Sequence, residues 1–153
     1  MKKVVVTGAN GFIGKVLTKT LLEKGVEVYA VVTNAESMSD LKSDKLHILK
    51  AFFEDYFDLV DVLPEGIDVF YHFAWQGIHS PFFKDYNLQF NNAKYACDAV
   101  MLAVKIKAKK FVFASTINVL ETMHYLNENE FFEPRYANVL GSVKIAADMI
   151  GKR

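Results

Sequence analysis

The stretch Val4–Gly14 reads VVVTGANGFIG and decides the fold class. Its three valines form the short, continuously apolar run that a strand buried on both faces of a parallel sheet requires. Gly8, Gly11 and Gly14 follow at a three-residue spacing, and apolar residues then recur at helical spacing as far as Lys24. The stretch therefore predicts a strand, a glycine-rich turn and a helix that begins inside the turn.

The rest of the chain continues this alternation of strand and helix. Further strands are predicted at residues 26–32, 46–49, 68–73 and 111–114, and helices at 11–24, 55–63, 84–107 and 136–150. Strands that alternate with helices through short connections favour a parallel sheet with helices on both faces. We therefore predict a Rossmann-type, doubly wound, three-layer α/β/α fold with five strands in the order 3-2-1-4-5. We expect residues 1–153 to form a single domain, with residues 116–134 as its longest irregular stretch.

Composition and charge exclude several classes of protein. The chain is 52% hydrophobic, so it can bury a core, and a disordered protein is excluded. Lys+Arg and Asp+Glu are both 18, which argues against a nucleic-acid or anionic membrane partner. The single cysteine, Cys97, excludes an internal disulfide, and no Cys/His set has zinc spacing. The N-terminal apolar run is too short for a signal peptide, so we expect a cytoplasmic protein.

The placement of the three glycines predicts a dinucleotide-binding site. Gly8 permits a tight turn, Gly11 lets the backbone approach a pyrophosphate, and Gly14 allows the helix to pack closely on the strand. The N-terminus of the helix adds free N–H groups and the positive end of its dipole. The alternative is a glycine-rich turn that only serves packing.

Several segments resemble one known family. Thr7–Gly14 resembles the N-terminal motif of the extended short-chain dehydrogenase/reductase family, in particular its NAD-dependent epimerase/dehydratase group. Three later segments resemble family segments and occur in the same order: His72-Phe73-Ala74, the strand that ends in Ser115-Thr116, and Lys144 followed by Ala146-Ala147-Asp148. The resemblance covers essentially the whole chain, although family members usually continue into a substrate domain, which we do not expect here.

The resemblance implies a cofactor, NAD or NADP, and a nucleotide-sugar or small carbonyl substrate. The residues expected to bind the cofactor are Gly8, Asn10, Gly11, Phe12, Ile13, Gly14, Thr33, Ala74, Asn92 and Lys144. Thr116 and Lys144 are the expected catalytic residues. In the family the long helix often pairs across a dimer, so the apolar stripe Tyr95, Ala99 and Leu102 predicts a homodimer, unless the stripe only covers the sheet.

The sequence departs from the family at the catalytic pair. The family has a tyrosine four residues before its lysine, but Leu140 occupies that position before Lys144. Leucine has no ionisable proton and cannot serve as a general acid or base. Tyr136 lies eight residues before Lys144, which is about 12 Å along a helix and too far for a direct hydrogen bond.

Two further departures concern cofactor recognition. An NAD site usually has an acidic residue at the end of the second strand, where it binds the ribose hydroxyl groups. The corresponding position here is Val32 or Thr33, neither of which is acidic, so the choice between NAD and NADP stays open. The family also has an aspartate that contacts the adenine, and the corresponding position here lies near Phe52. Glu54 or Asp55 could replace that aspartate, or they could be surface charges at the start of a helix.

Three interpretations remain open from the sequence. The first is an enzyme lineage of nucleotide-sugar epimerases, dehydratases or reductases, whose turnover is uncertain without the tyrosine. The second is a non-catalytic protein that senses NAD(P) or acts as a scaffold. The third is a truncated fragment of a longer epimerase. The loop residues Trp75, Phe82 and Phe83 could line a ligand pocket or pack the loop, and His72 is expected in the core or beside the cofactor.

Overall fold

The computed structural model describes residues 1–78, 81–127 and 139–151. The chain folds as two compact units. The first unit comprises Met1–Ala74 and Asp98–Phe113, and the second comprises Trp75–Cys97 and Ala114–Arg153. Each unit has its own set of packed elements.

The first unit contains one five-stranded parallel sheet. Its strands are β1 (Lys3–Thr7), β2 (Glu27–Val32), β3 (Leu46–Lys50), β4 (Val69–His72) and β5 (Phe111–Phe113). Their order in the sheet is β3-β2-β1-β4-β5, and every neighbouring pair is parallel. With helices such as α1 (Phe12–Glu23) between the strands, this arrangement confirms the predicted Rossmann-type α/β fold and its strand order.

The apolar run of β1 lies at the centre of this sheet. Val5 pairs with Tyr29 on β2 and with Phe70 on β4, so β1 has a neighbour on each side. Val4, Val5 and Val6 are fully buried. Burying a side chain of this size stabilises the fold by about 1.5–3 kcal/mol. The run therefore fixes β1 as the middle strand and places the turn that follows it at the carboxyl edge of the sheet.

The second unit is helical. It contains the first part of α2 (Tyr86–Lys105), which continues into the first unit, together with α3 (Ile117–Asn127) and α4 (Val139–Gly151). α3 and α4 approach closely at Gly141, where an added Cβ would overlap Thr122 Oγ1 and lie 2.7 Å from the Asn118 carbonyl oxygen.

α3 corrects the prediction of an irregular stretch at 116–134, because residues 117–127 are helical. Thr116 starts this helix: its Oγ1 accepts a hydrogen bond from the Asn118 N–H at 3.4 Å, and its carbonyl accepts from the Val119 N–H at 3.1 Å. A threonine before the first helical residue is a favourable N-cap. The helix therefore begins where the sequence alone suggested only a loop.

The other elements differ from their predicted bounds in smaller ways. The helix predicted at 55–63 is a 3₁₀ helix over Phe53–Asp61, and short 3₁₀ helices occur at Ala35–Met38 and Phe82–Lys84. The long helix begins at Tyr86 rather than at residue 84. The predicted start of the last helix, Tyr136, lies outside the described residues.

The described ranges contain neither a helix that could span a membrane nor a cluster of metal-ligating side chains. None of the helices in those ranges is both long and apolar enough to cross a membrane. Within the same ranges, no group of three or more His, Cys, Asp or Glu side chains is arranged to hold a metal ion.

Candidate dinucleotide-binding site

Gly8 forms the turn directly after β1. Its φ is +66°, in the left-handed region that side chains other than glycine disfavour. Its N–H donates to the Val31 carbonyl oxygen at 3.0 Å. A Cβ on Gly8 would lie 2.7 Å from the Ala74 nitrogen and 2.9 Å from the Ala74 Cα. Gly8 is therefore required both for the turn and for the close approach of the segment after β4.

Gly14 lies in the first turn of α1 and packs against the same turn. A Cβ there would overlap the Gly8 carbonyl oxygen and lie 2.9 Å from the Ala9 Cα. Both contacts are with backbone atoms, which cannot rotate away. Gly14 therefore lets α1 start in direct contact with the turn, as the sequence predicted.

Gly11 differs from the other two glycines. It is exposed, and its φ of −76° is accessible to any residue. The atom that an added Cβ would approach is the Gly8 carbonyl oxygen, at 3.1 Å. The packing of the chain itself therefore gives a weaker reason for glycine at position 11 than at positions 8 and 14. The missing side chain leaves the backbone of the turn open to a ligand.

The N-terminus of α1 is not capped by a side chain. Gly11 is the N-cap residue, it provides no side-chain hydrogen bond, and the first turn contains no acidic residue. The first N–H groups of a helix lack intrahelical acceptors, and this end of the dipole is positive. Phe12 is 95% exposed and Ile13 is 55% exposed, so apolar side chains flank these donors. The arrangement is suited to a phosphate group.

A buried polar contact links the segment after β4 to the strand before the glycine turn. Thr7 Oγ1 is hydrogen-bonded to His72 Nδ1 at 2.8 Å and accepts the Ala74 N–H at 3.4 Å. The His72 ring is stacked on Phe113, with the ring centroids 5.9 Å apart. His72 is therefore a core residue that helps to hold Ala74 beside Gly8.

The carboxyl end of β2 is the expected ribose position. Thr33 is exposed directly after β2. The next residue, Asn34, caps the 3₁₀ helix at Ala35–Met38, because its Oδ1 accepts the Glu36 N–H at 3.1 Å. The residues that follow β2 directly thus offer hydroxyl and amide groups rather than a carboxylate.

The carboxylates near Phe52 belong to a helix start. Asp55 Oδ2 accepts the Phe52 N–H at 3.1 Å, and Phe52 is 50% exposed. Asp55 therefore caps the 3₁₀ helix at Phe53–Asp61, which agrees with the interpretation of these acids as helix-start charges.

In the second unit, Asn92 holds the loop after β4 by its side-chain amide. Asn92 Oδ1 accepts the Gln76 N–H at 2.9 Å, and Nδ2 donates to the Gln76 carbonyl oxygen at 2.9 Å. The side chain is buried, so this pair of bonds is shielded from water. The Asn92 side chain therefore holds the loop at Gln76 through two hydrogen bonds, and its role toward a cofactor stays a prediction.

Gln89, one helical turn before Asn92, is a residue that sequence reasoning missed. It is fully buried; its Oε1 accepts the Trp75 Nε1–H at 2.8 Å, and its Nε2 donates to the Gly77 carbonyl at 3.2 Å. The signal available in the sequence was weak: a glutamine three residues before an asparagine on the same face of a helix.

Lys144 also lies in the second unit. Its Nζ donates to the Ala114 carbonyl oxygen at 2.8 Å and lies 3.6 Å from the centroid of the Trp75 ring. Burial lowers the pKa of Lys144 to about 7. Leu140, one turn earlier on α4, is also buried. The loop residue Trp75 therefore packs over the lysine, while Phe82 is exposed and the side chain of Phe83 lies outside the described atoms.

The predicted site residues thus fall into two groups. The first unit contains Gly8, Asn10, Gly11, Phe12, Ile13, Gly14, Thr33 and Ala74. The second unit contains Asn92, Thr116 and Lys144. Their roles toward cofactor and substrate stay predictions.

Comparison with known proteins identifies the family. The model of the NAD dependent epimerase/dehydratase family matches residues 4–152. The chain therefore belongs to this family, which confirms the family suggested by the glycine motif. The family is NAD-dependent by its description, so a dinucleotide cofactor is confirmed as the family's cofactor.

Individual relatives are similar over parts of their length. Cinnamoyl-CoA reductase 2 of Arabidopsis thaliana is 33% identical over 142 residues, which are 84% of this chain and 38% of the relative. dTDP-6-deoxy-L-talose 4-dehydrogenase (NAD(+)) of Aggregatibacter actinomycetemcomitans is 35% identical over 78 residues, which are 48% of this chain and 27% of the relative. The solved structure of MoeE5 in complex with UDP-glucose and NAD has a TM-score of 0.74 and 25% identity, covering 97% of this chain and 48% of that one. The chain thus spans half the length of these relatives or less.

Proposed function

We propose that this chain binds NAD on the glycine turn after β1, as the dinucleotide-binding part of a protein that acts on nucleotide sugars. The observation that carries the proposal is Gly11: it is exposed, it adopts an ordinary backbone conformation, and an added Cβ would make a milder contact there, 3.1 Å from the Gly8 carbonyl oxygen, than at Gly8 or Gly14. A ligand that approaches the backbone there explains the glycine better than packing does.

The residues of the first unit fit such a cofactor. The uncapped N–H groups at the start of α1 would receive the pyrophosphate, and Thr33 would meet the adenosine ribose with its hydroxyl group. NAD, when bound, supplies a hydride acceptor. Because the residues directly after β2 lack the carboxylate that disfavours a 2′-phosphate, we propose that NADP competes with NAD at this site.

The relatives support the substrate class. One relative is by name a dehydrogenase of a dTDP-linked deoxysugar, and a solved neighbour was obtained with UDP-glucose and NAD. We propose a nucleotide sugar as the substrate of the whole protein, with a small carbonyl compound as the alternative. We also propose that residues 1–153 serve as the dinucleotide-binding domain, and that the protein is cytoplasmic.

A second candidate function is cofactor binding without turnover. Leu140 favours it, because leucine at the tyrosine position cannot transfer a proton. In that case the chain would sense NAD(P) or serve as a scaffold. Both candidate functions require affinity for the dinucleotide, and only the enzyme converts a substrate.

A homodimer remains a proposal, but its surface is not the stripe that the sequence suggested. Ala99 and Leu102 are fully buried in the chain, so they are not available to a second copy. The exposed large hydrophobic side chains of α2 include Tyr86, Phe90, Met101 and Val104. Light scattering on the native chain and on a Met101→Glu variant tests whether this face of α2 associates.

Calorimetric titration tests the cofactor proposal. The native chain, a Gly11→Val variant and a Val16→Ala control would each be titrated with NAD, NADH, NADP and NADPH. Val16 is 65% exposed on the same helix, so its truncation should leave binding unchanged. We expect saturable binding that Gly11→Val abolishes. A folded native chain that binds none of the four dinucleotides would refute the proposal.

A turnover assay separates the two candidate functions. Conversion of nucleotide-sugar substrates in the presence of NAD, followed by product analysis as well as by the absorbance of the reduced nicotinamide, would be measured for the native chain and for Leu140→Tyr. Turnover by the native chain would show that a group other than tyrosine supplies the proton. Binding without turnover in the native chain, with turnover gained by Leu140→Tyr, would favour the sensor.

A further inference from the structure

The side chains around the Lys144 amine form an organised cluster within the second unit. The face of the Trp75 indole lies against the amine, with Nζ 3.6 Å from the ring centroid, and the Ala114 carbonyl oxygen accepts its hydrogen bond at 2.8 Å. Lys144 is 5% exposed. A cation on the face of an indole, away from water, is one of the stronger cation–π arrangements.

The indole is itself held in place by a buried amide. Gln89 is fully buried and accepts the Trp75 Nε1–H at 2.8 Å. Its Nε2 lies within hydrogen-bond distance of the carbonyl oxygens of Gly77 and Phe82, at 3.2 and 3.3 Å. Asn92 adds its bonds to the backbone of Gln76. Hydrogen bonds from Gln89 and Asn92 thus tie Trp75 and the loop that follows it to α2.

We infer that Trp75, oriented by Gln89, is a positioning residue for Lys144. The indole holds the protonated amine against the Ala114 carbonyl, in a chain whose preceding helical turn offers leucine at position 140 instead of a hydroxyl group. The relevance of this placement to turnover rests on the proposed function. The placement itself does not, because every contact that defines it lies within the second unit.

The ionisation of Lys144 gives the inference a direct readout. Burial is the cause of its lowered pKa, which lies at about 7. Among the described side chains of α3 and α4, the other titratable ones are Glu121, His124 and Asp148, and the cause that lowers the pKa of Lys144 is burial. The amine should therefore gain and lose its proton in an accessible pH range while it faces the indole.

Trp75 is the only tryptophan of the chain, so the tryptophan fluorescence reports on the surroundings of this one indole. The emission of the native chain would be recorded from pH 5 to pH 9. We expect a change in emission with a midpoint near pH 7, because an ammonium group on the indole face alters the energy of the excited state. Lys144→Met should lose the transition, and Lys144→Arg should keep the low-pH emission at every pH. A native emission that does not titrate, or a transition that persists in Lys144→Met, would overturn the inference.

Variants of Trp75 test whether the indole acts on the amine. The pKa of Lys144 would be measured by NMR of labelled lysine in the native chain, Trp75→Phe and Trp75→Leu. Loss of a cation–π contact should lower the midpoint in Trp75→Leu by about 0.5–1.5 pH units, with a smaller decrease in Trp75→Phe, which keeps a ring. A midpoint in Trp75→Leu that is unchanged or raised would overturn the inference, since water entry alone raises it.

The outcome is separable from that of the proposed function. A native chain that shows the Lys144 titration but binds no dinucleotide supports the positioning role and refutes the cofactor proposal. A native chain that binds a dinucleotide but shows no fluorescence transition supports the cofactor proposal and refutes the positioning role. If Lys144→Met does not fold, the NMR titration of the native chain and Lys144→Arg still decide the inference.

Discussion

Replacing the glycines of the turn one at a time with alanine should separate the glycines that the fold requires from the one that it does not. Gly8→Ala forces a left-handed conformation, which costs about 1–2 kcal/mol, and drives Cβ into the backbone of Ala74, which costs about 1–3 kcal/mol more. Gly14→Ala overlaps the Gly8 carbonyl, an overpacking cost of about 1–3 kcal/mol or more, offset by about 1 kcal/mol of helix propensity.

Gly11→Ala should behave differently, because its backbone angles are ordinary and its Cβ would meet the Gly8 oxygen at 3.1 Å, a tight contact that a shift of a few tenths of an ångström relieves. The small preference for glycine over alanine at an N-cap and the reduced entropy of the unfolded chain nearly cancel, so the change in the free energy of unfolding should stay within about 1 kcal/mol. The larger Gly11→Val substitution should nevertheless abolish NAD binding.

Urea unfolding followed by circular dichroism measures these differences. The expected result is a clearly lower midpoint for the Gly8 and Gly14 variants than for the native chain, with an unchanged slope, and a midpoint for Gly11→Ala close to native. The reasoning fails if Gly11→Ala is as destabilising as the other two. It also fails if Gly14→Ala is neutral, because the backbone contact would then be relieved at no cost.

Four further predictions concern other positions. Gly141→Ala should lower the thermal midpoint, because about 1–3 kcal/mol of overpacking against α3 exceeds the helix-propensity gain of about 1 kcal/mol. Asn92→Leu should cost about 2–3 kcal/mol in urea unfolding, because the Gln76 N–H and carbonyl lose their partners. The pKa of Lys144 is about 7 in the folded chain, against an ordinary value of 10.5, so between these pH values the unfolded chain binds a proton that the folded chain does not. The free energy of unfolding should therefore rise with pH in this range, by up to about 1.4 kcal/mol per pH unit. The difference in unfolding free energy between the native chain and Lys144→Met, measured across this range, should show that slope. Thr33→Asp should shift the ratio of NAD to NADP affinity toward NAD by about tenfold, or 1.4 kcal/mol, in calorimetry.

The sequence was sufficient for the sheet and the glycine turn because both depend on local patterns. The valines of β1 and the spacing of Gly8, Gly11 and Gly14 define a strand, a turn and a helix within twelve residues, and parallel strand order follows from short right-handed connections. The structure refined the roles of the glycines. Gly8 serves both the turn and the contact with Ala74, and only Gly11 is left without a strong packing reason.

The sequence was insufficient where a residue's role depends on distant contacts. The catalytic role of Thr116 stays a prediction, whereas its hydrogen bond at the N-cap of α3 is not evident from the sequence, which predicts a loop where the structure has a helix. Gln89 meets Trp75 only because a loop folds back onto α2, and no periodic pattern reports such a contact. The burial of Lys144, and hence its lowered pKa, likewise depends on tertiary packing.

The most direct test of the central claim is the calorimetric titration of the native chain with NAD. The account predicts saturable binding at one site per chain, lost in Gly11→Val while that variant remains folded. Equal binding by the native chain and by Gly11→Val would contradict it, because the open backbone at Gly11 would then have no part in holding the cofactor.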